Sequence, residues 1–100
     1  MRTWSELYEV LHEIVENVYF QTPENLKMKY PCIKFERTNA LTRFADNNPY
    51  QTTKRYTITL ITKTSDNDEY LDKLLRLPMC TYDRQFITEG LVHDVFTIYF

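Results

Sequence analysis

Seven consecutive residues, Tyr56-Thr57-Ile58-Thr59-Leu60-Ile61-Thr62, commit this chain to a β-sheet. β-Branched and aromatic side chains favour extended backbone. Their alternation places Tyr56, Ile58 and Leu60 on one face and Thr57 and Thr59 on the other. Such a strand needs neighbours, and the sequence supplies candidates on both sides. Cys32-Ile33-Lys34-Phe35-Glu36 alternates with Ile33 and Phe35 facing in. Residues 81–87 and 92–100 read as a hairpin turning at Glu89-Gly90. In its last strand Phe96, Ile98 and Phe100 share one face, and Val95, Thr97 and Tyr99 the other. Apolar groups on both faces mark a central strand, or one whose second face meets another subunit.

Two segments carry helical spacing instead. Thr3-Trp4-Ser5-Glu6 matches a capping box, in which the Thr hydroxyl accepts from the backbone at Glu6. Behind it Trp4, Leu7, Tyr8, Leu11, Ile14, Val15 and Val18 recur at steps of three and four, predicting one apolar stripe on a helix of roughly 15 residues. Glu6, Glu9, Glu13 and Glu16 fill the remaining faces. A second helix begins at an N-cap in Ser65-Asp66, with Asp68 and Glu69 in its first turn. It buries Tyr70, Leu71, Leu74 and Leu75 and stops at Pro78.

The 100 residues therefore form one domain with the order α-β-β-α-β-β. The expected fold class is α+β, an antiparallel four-stranded sheet with two helices packed on one face. Between the second and third apolar segments, residues 37–53 are polar and turn-rich, with Asn47-Asn48-Pro49 as the clearest turn. They read as a connection too long to be idle. Leu41, Phe44 and Tyr50 within it are apolar groups that a merely solvated loop has little reason to hold.

Composition narrows the function. Gly90 is the single glycine, which excludes the glycine-rich loops that cradle phosphates and dinucleotides. Two cysteines cannot build a disulfide framework, and a reduced intracellular setting is the simpler expectation. No apolar run is long enough to cross a bilayer, and the N-terminal stretch is amphipathic and acidic rather than signal-like. Net charge is −2, but residues 22–55 hold seven basic against three acidic side chains, while the flanking segments are acidic. Such blocks give a surface with a basic and an acidic side, suited to head-to-tail self-assembly.

No catalytic constellation stands out. Ser5 and Ser65 sit at expected helix starts. Cys32, Cys80, His12 and His93 suffice for zinc by count but are scattered singly, without the paired spacing of structural sites. A Cys80–His93 nucleophile pair has less behind it than a plainly buried cysteine. His93-Asp94 reads as a surface pair at a strand start. Asp66, Asp68, Glu69 and Asp72 lack the spacing of a calcium loop and read as a solvated helix start. Lys27, Lys29, Lys34, Arg37, Arg43, Lys54 and Arg55 cluster with Phe35, Phe44 and Tyr50, the mixture a single-strand nucleic-acid surface uses. A pI near 5.6 weighs against that reading.

Lys29-Tyr30-Pro31-Cys32-Ile33, residues 54–62, Leu74-Leu75-Arg76-Leu77-Pro78, Tyr82-Asp83-Arg84-Gln85-Phe86 and residues 93–100 together give the chain a familiar look. It resembles the small tail-terminator, or tail-completion, proteins of long non-contractile-tailed bacteriophages. The resemblance covers about the last three quarters of the chain and includes no catalytic signature. It implies a structural virion protein, not an enzyme, that needs no cofactor. Its subunits would form a homo-oligomeric ring, usually a hexamer, at the head-proximal end of the tail. The ring would cap the major tail tube protein, dock the head–tail connector or stopper protein, and let phage DNA pass without specific binding. It would assemble in the host cytoplasm and touch no membrane.

A cyclic ring needs two different surfaces that meet, and the acidic first helix against the basic middle segment is a candidate pair. Arg37, Arg43, Phe44, Tyr50, Lys34 and Tyr99 are the expected contacts to the tail tube or the next subunit, because Arg and aromatic residues dominate interface energetics. Two alternatives stay open: a head-completion or stopper ring, and a small single-stranded nucleic-acid-binding module.

Overall fold

The computed structural model describes residues 3–21, 29–45, 48–64 and 66–100, with backbone alone for residues 39–45 and 48–53. Helix α1 spans Trp4–His12, with Thr3 as N-cap; its hydroxyl accepts from the Glu6 N–H at 3.4 Å. The helix ends well short of the expected length. Ile14 and Val15 both donate to the Leu11 carbonyl and close the last turn, and the chain re-emerges as strand β1, Asn17–Phe20.

Spacing alone could not separate the two states here, since Val15 and Val18 fit a helical stripe. Val18, Tyr19 and Phe20 are strand formers, and β1 finds a parallel partner, with Val18 opposite Ile33 and Phe20 opposite Phe35. Asn17 secures its start by donating from Nδ2 to the Pro31 carbonyl at 3.1 Å.

Strand β2, Cys32–Ala45, and strand β3, Asn48–Thr62, are far longer than their apolar segments. Residues 37–45 and 48–53 are therefore strand, not loop. They continue both strands as an antiparallel ribbon, paired from Asn39–Arg55 out to Ala45–Asn48, with shifts of register at Arg37/Asn39 and Arg43/Phe44. The strands stop beside the expected turn; residues 46–47 lie outside the described residues. Polar sequence concealed this pairing because the ribbon runs past the core, so neither face needs an apolar alternation.

Helix α2 spans Asp68–Leu75, and its N-cap is Asn67 rather than Ser65 or Asp66. Strands β4, Cys80–Thr88, and β5, Leu91–Tyr99, form the C-terminal hairpin. Its turn needs positive φ twice, at Glu89 (53°) and Gly90 (75°), which is why the lone glycine falls there.

The sheet is five-stranded and mixed, in the order β1-β2-β3-β5-β4, with β1 parallel to β2 and every other pair antiparallel. This corrects the expected four antiparallel strands: the element order is α-β-β-β-α-β-β. One apolar cluster holds the protein together. Leu7, Leu11, Val15 and Leu74 meet Val18, Ile33, Phe35, Tyr56, Ile58, Leu60, Phe96 and Ile98. Both helices therefore cover the same face of the sheet. Strand β5 is central, as one of the two readings of its double apolar character requires. Tyr56 is fully buried, and its hydroxyl has no hydrogen-bond partner among the described residues.

Candidate assembly surface

Among the described residues, β3 beyond Lys54, which exchanges backbone hydrogen bonds with Phe100, pairs with β2 alone. On the other side β1 pairs with β2 only over Cys32–Phe35. Among the described residues the outer parts of β2 and β3 thus form a two-stranded arm. Fourteen residues of β2 at ~3.3 Å each account for most of the protein's 52 Å long axis. At the arm's base Arg55 Nε donates to Thr38 Oγ1 at 3.3 Å, and Thr38 Oγ1 donates to the Arg55 carbonyl at 3.1 Å.

The expected contact residues divide between locations. Lys34, half-buried, sits on the helix-free face in register with Thr59 and Val95. Tyr99 is on that face too, in register with Arg55. Arg37 is exposed on the helix side, opposite Tyr56. Its charge draws the Tyr56 hydroxyl toward ionisation, but burial outweighs it and holds the pKa above 10. Arg43 and Phe44 lie on the β2 side of the arm, and Tyr50 on the β3 side at a shift of register. The side chains of these three are outside the described residues. The fold thus collects Arg43, Phe44 and Tyr50 on one arm, sets Arg37 near its base, and leaves Lys34 and Tyr99 on the sheet.

At the far edge, β4 pairs among the described residues only with β5, and residues 81–88 are all exposed. Tyr82, Phe86 and Ile87 project there, with Leu75 and Met79 just before them; Met79 and Ile87 are 68% and 67% exposed. These residues were missed. The adjacent apolar pair Phe86-Ile87, on the outer strand of a hairpin, was the available signal.

This edge is anchored from below. Asp94 is fully buried under it, which corrects its reading as part of a surface pair. Its carboxylate accepts from Asn67 Nδ2 at 2.7 Å, Tyr82 Oη at 2.8 Å and Gln85 Nε2 at 2.9 Å. Asn67 Nδ2 also donates to Thr62 Oγ1. One carboxylate thereby ties the start of α2, the end of β3 and the outer strand together. Tyr82 stands edge-on to Phe96, and burial together with its bond to Asp94 pushes its hydroxyl up to about 12.

A bulge at Tyr82/Arg84 puts Asp83 and Arg84 on the helix-free face. There Asp83 accepts from Thr97 Oγ1 at 2.6 Å, and Arg84 lies 5.8 Å from the Phe86 ring. That ring stacks on His93 at 4.7 Å.

The cysteines do not converge. Cys32 is on β2 and Cys80 on β4, three strand positions apart, with Cys32 in register with His93 of β5 and Cys80 with Ile98, far beyond disulfide reach. Burial raises both thiols to about 11. Among the described residues no group of three His, Cys, Asp or Glu side chains is placed to hold a metal ion, and no helix is long and apolar enough to cross a membrane. No family model matches the chain, and a search of the curated proteins returns no match.

Proposed function

We propose that this chain is a structural subunit of a long-tailed phage. It forms a ring at the head-proximal end of the tail tube that ends tail growth and joins the tail to the head connector. The observation that carries the reading is the β2–β3 arm. An isolated two-stranded ribbon is marginally stable in water, and with no third strand beside the arm among the described residues a partner outside the chain accounts for it best. The arm and its base are basic: residues 34–55 hold five basic side chains against two acidic. Among the described residues the sheet has a second unpaired edge on the opposite side, at β4. One subunit with two unlike free edges suits head-to-tail association, the geometry a closed ring requires.

On this reading the partners are other copies of the chain, the tail tube protein and the connector, and no turnover is involved. The test is the solution mass of the purified chain by light scattering, with images of the assemblies. A discrete species of about six times the 12.1 kDa chain, with a central hole, is expected. A single-chain mass at all concentrations, or an oligonucleotide complex near physiological salt, overturns it.

A further inference from the structure

We infer that two copies of this chain pair through their β4 edges, antiparallel and about a two-fold axis at Phe86. The pairing stands apart from the ring reading above. A chain held this way has no β4 edge to give to a ring, so the pair is its state outside one.

The exposed apolar residues determine the shape of the occupant. Tyr82 and Ile87 project on the helix side and Phe86 on the helix-free side. A helix or a flat protein surface covers only one of these sets. An extended strand in the plane of the sheet covers both, while bonding to the outward N–H and C=O groups of the edge. Nothing on the edge turns such a strand away. Residues 84–88 contain no lysine and no proline, and their one charge, Arg84, lies over the Phe86 ring. Asp83 is turned onto Thr97 Oγ1.

Register selects a second β4. The regular stretch of the edge runs from Arg84, where the bulge ends, to Thr88, where the turn begins, and Phe86 is its midpoint. The two-residue turn makes Thr88 and Leu91 a hydrogen-bonded pair. Phe86 therefore bonds inward to β5, while Gln85 and Ile87 aim their backbone groups outward. Set antiparallel about Phe86, two such edges place Phe86 against the second copy's Phe86 on one face. On the other face Gln85 meets the second copy's Ile87, so the outward-bonding residues match. Each Arg84 meets Thr88, which keeps the two guanidinium groups apart. The other described strands fit less well. Past Lys54, β3 is the polar run 48–53, in which Pro49 has no N–H to give. Strand β1 has four residues, and its Phe20 is already stacked on Trp4 at 4.5 Å.

Tyr82, Phe86 and Ile87 expose roughly 300 Å² per copy. With the strand backbones added, the contact falls in the small class of reversible associations, below ~1,200 Å² in total. Residues 66–90 hold six acidic side chains against three basic in each copy, so salt screens their repulsion and tightens the pair.

Position-specific crosslinking of the full chain tests this. Phe86→Cys in a Cys80→Ser background, under oxidised glutathione, is expected to give a disulfide-linked dimer. Residues facing each other in a non-hydrogen-bonded pair lie ~4.5 Å apart at Cα, within disulfide reach. Arg84→Cys in the same background is expected to crosslink at least about tenfold more slowly, because its two copies lie ~13 Å apart along the strands. The wild-type chain is expected to sediment as a concentration-dependent dimer that strengthens with salt. Ile87→Lys, shown to be folded by its melting curve, is expected to lose that association by about tenfold or more. Equal crosslinking at 84 and 86, no crosslinking at 86, or a wild type that stays monomeric at its highest soluble concentration overturns the pair. A hexamer without crosslinking at 86 overturns the pair and leaves the ring reading in place. Crosslinked dimers with no larger species uphold the pair without the ring.

Discussion

Replacing Asp94 by Asn keeps the shape of the side chain and removes only its charge and one acceptor. The three donors converging on Asp94 leave no neutral arrangement that satisfies them all. If the new amide oxygen faces Tyr82 and Gln85, its NH2 group meets the NH2 of Asn67 at the 2.7 Å separation now held by a hydrogen bond. Asn67 could turn over, but it would then stop donating to Thr62 Oγ1, whose own proton is committed to the Thr64 carbonyl at 2.8 Å.

One charge-assisted bond is therefore lost, at ~1.5–3 kcal/mol, and two weaken to neutral bonds at about 1 kcal/mol each. Relief from burying a carboxylate offsets part of this. The net loss is about 2 kcal/mol, or roughly 8–16 °C in Tm for a domain of this size. Thermal melting and urea titration at neutral pH measure it. The swap Asp94→Asn with Asn67→Asp returns a carboxylate to the cluster and should recover more than half of the loss, a coupling read from the double-mutant cycle. A Tm for Asp94→Asn within about 2 °C of wild type would refute the reasoning, because each unpaired buried donor alone should cost ~1 kcal/mol or more.

Other consequences follow from single positions. Tyr56→Phe removes a buried hydroxyl with no partner among the described residues and should raise stability by about 1 kcal/mol in urea titration. Glu89→Asn suits the first positive-φ position of the β4–β5 turn better and should add about 0.5–1 kcal/mol. The Tyr82 hydroxyl is raised from 10.0 to about 12 on folding, so its contribution is fully present below pH 10 and disappears as pH rises toward 12. The stability gap between wild type and Tyr82→Phe should narrow across that window, and a constant gap would contradict it. Phe44→Ala should leave the melting of the monomer nearly unchanged and impair assembly; a loss of roughly 3–5 kcal/mol would place Phe44 in its own core.

Sequence reading succeeded where one physical signal dominated. The core half of β3 alternates cleanly, and the turn at Glu89-Gly90 sits at the one residue free to adopt positive φ. Strand β1 stayed hidden because Val15 and Val18 satisfy a helical period as well as an extended one. Only the parallel partner β2, remote in sequence, decides between them. The arm stayed hidden for the opposite reason. It extends past the hydrophobic core, so its residues show no apolar period although the backbones pair from Asn39–Arg55 to Ala45–Asn48.

For the site, Arg43, Phe44 and Tyr50 were legible as apolar and basic groups out of place in a loop. Asp94 was not, since a buried carboxylate is defined by its three donors, one at the start of α2 and two on β4. The apolar rim at Met79, Tyr82, Phe86 and Ile87 becomes visible only once β4 is known to be an edge.

The proposed role is tested most directly by removing the chain's coding sequence from the genome that carries it and imaging the particles made. Capsids without tails, alongside tubes of unregulated length, are the predicted products, and supplying the intact chain should restore joined tails of uniform length. Normal joined particles in its absence would contradict the role.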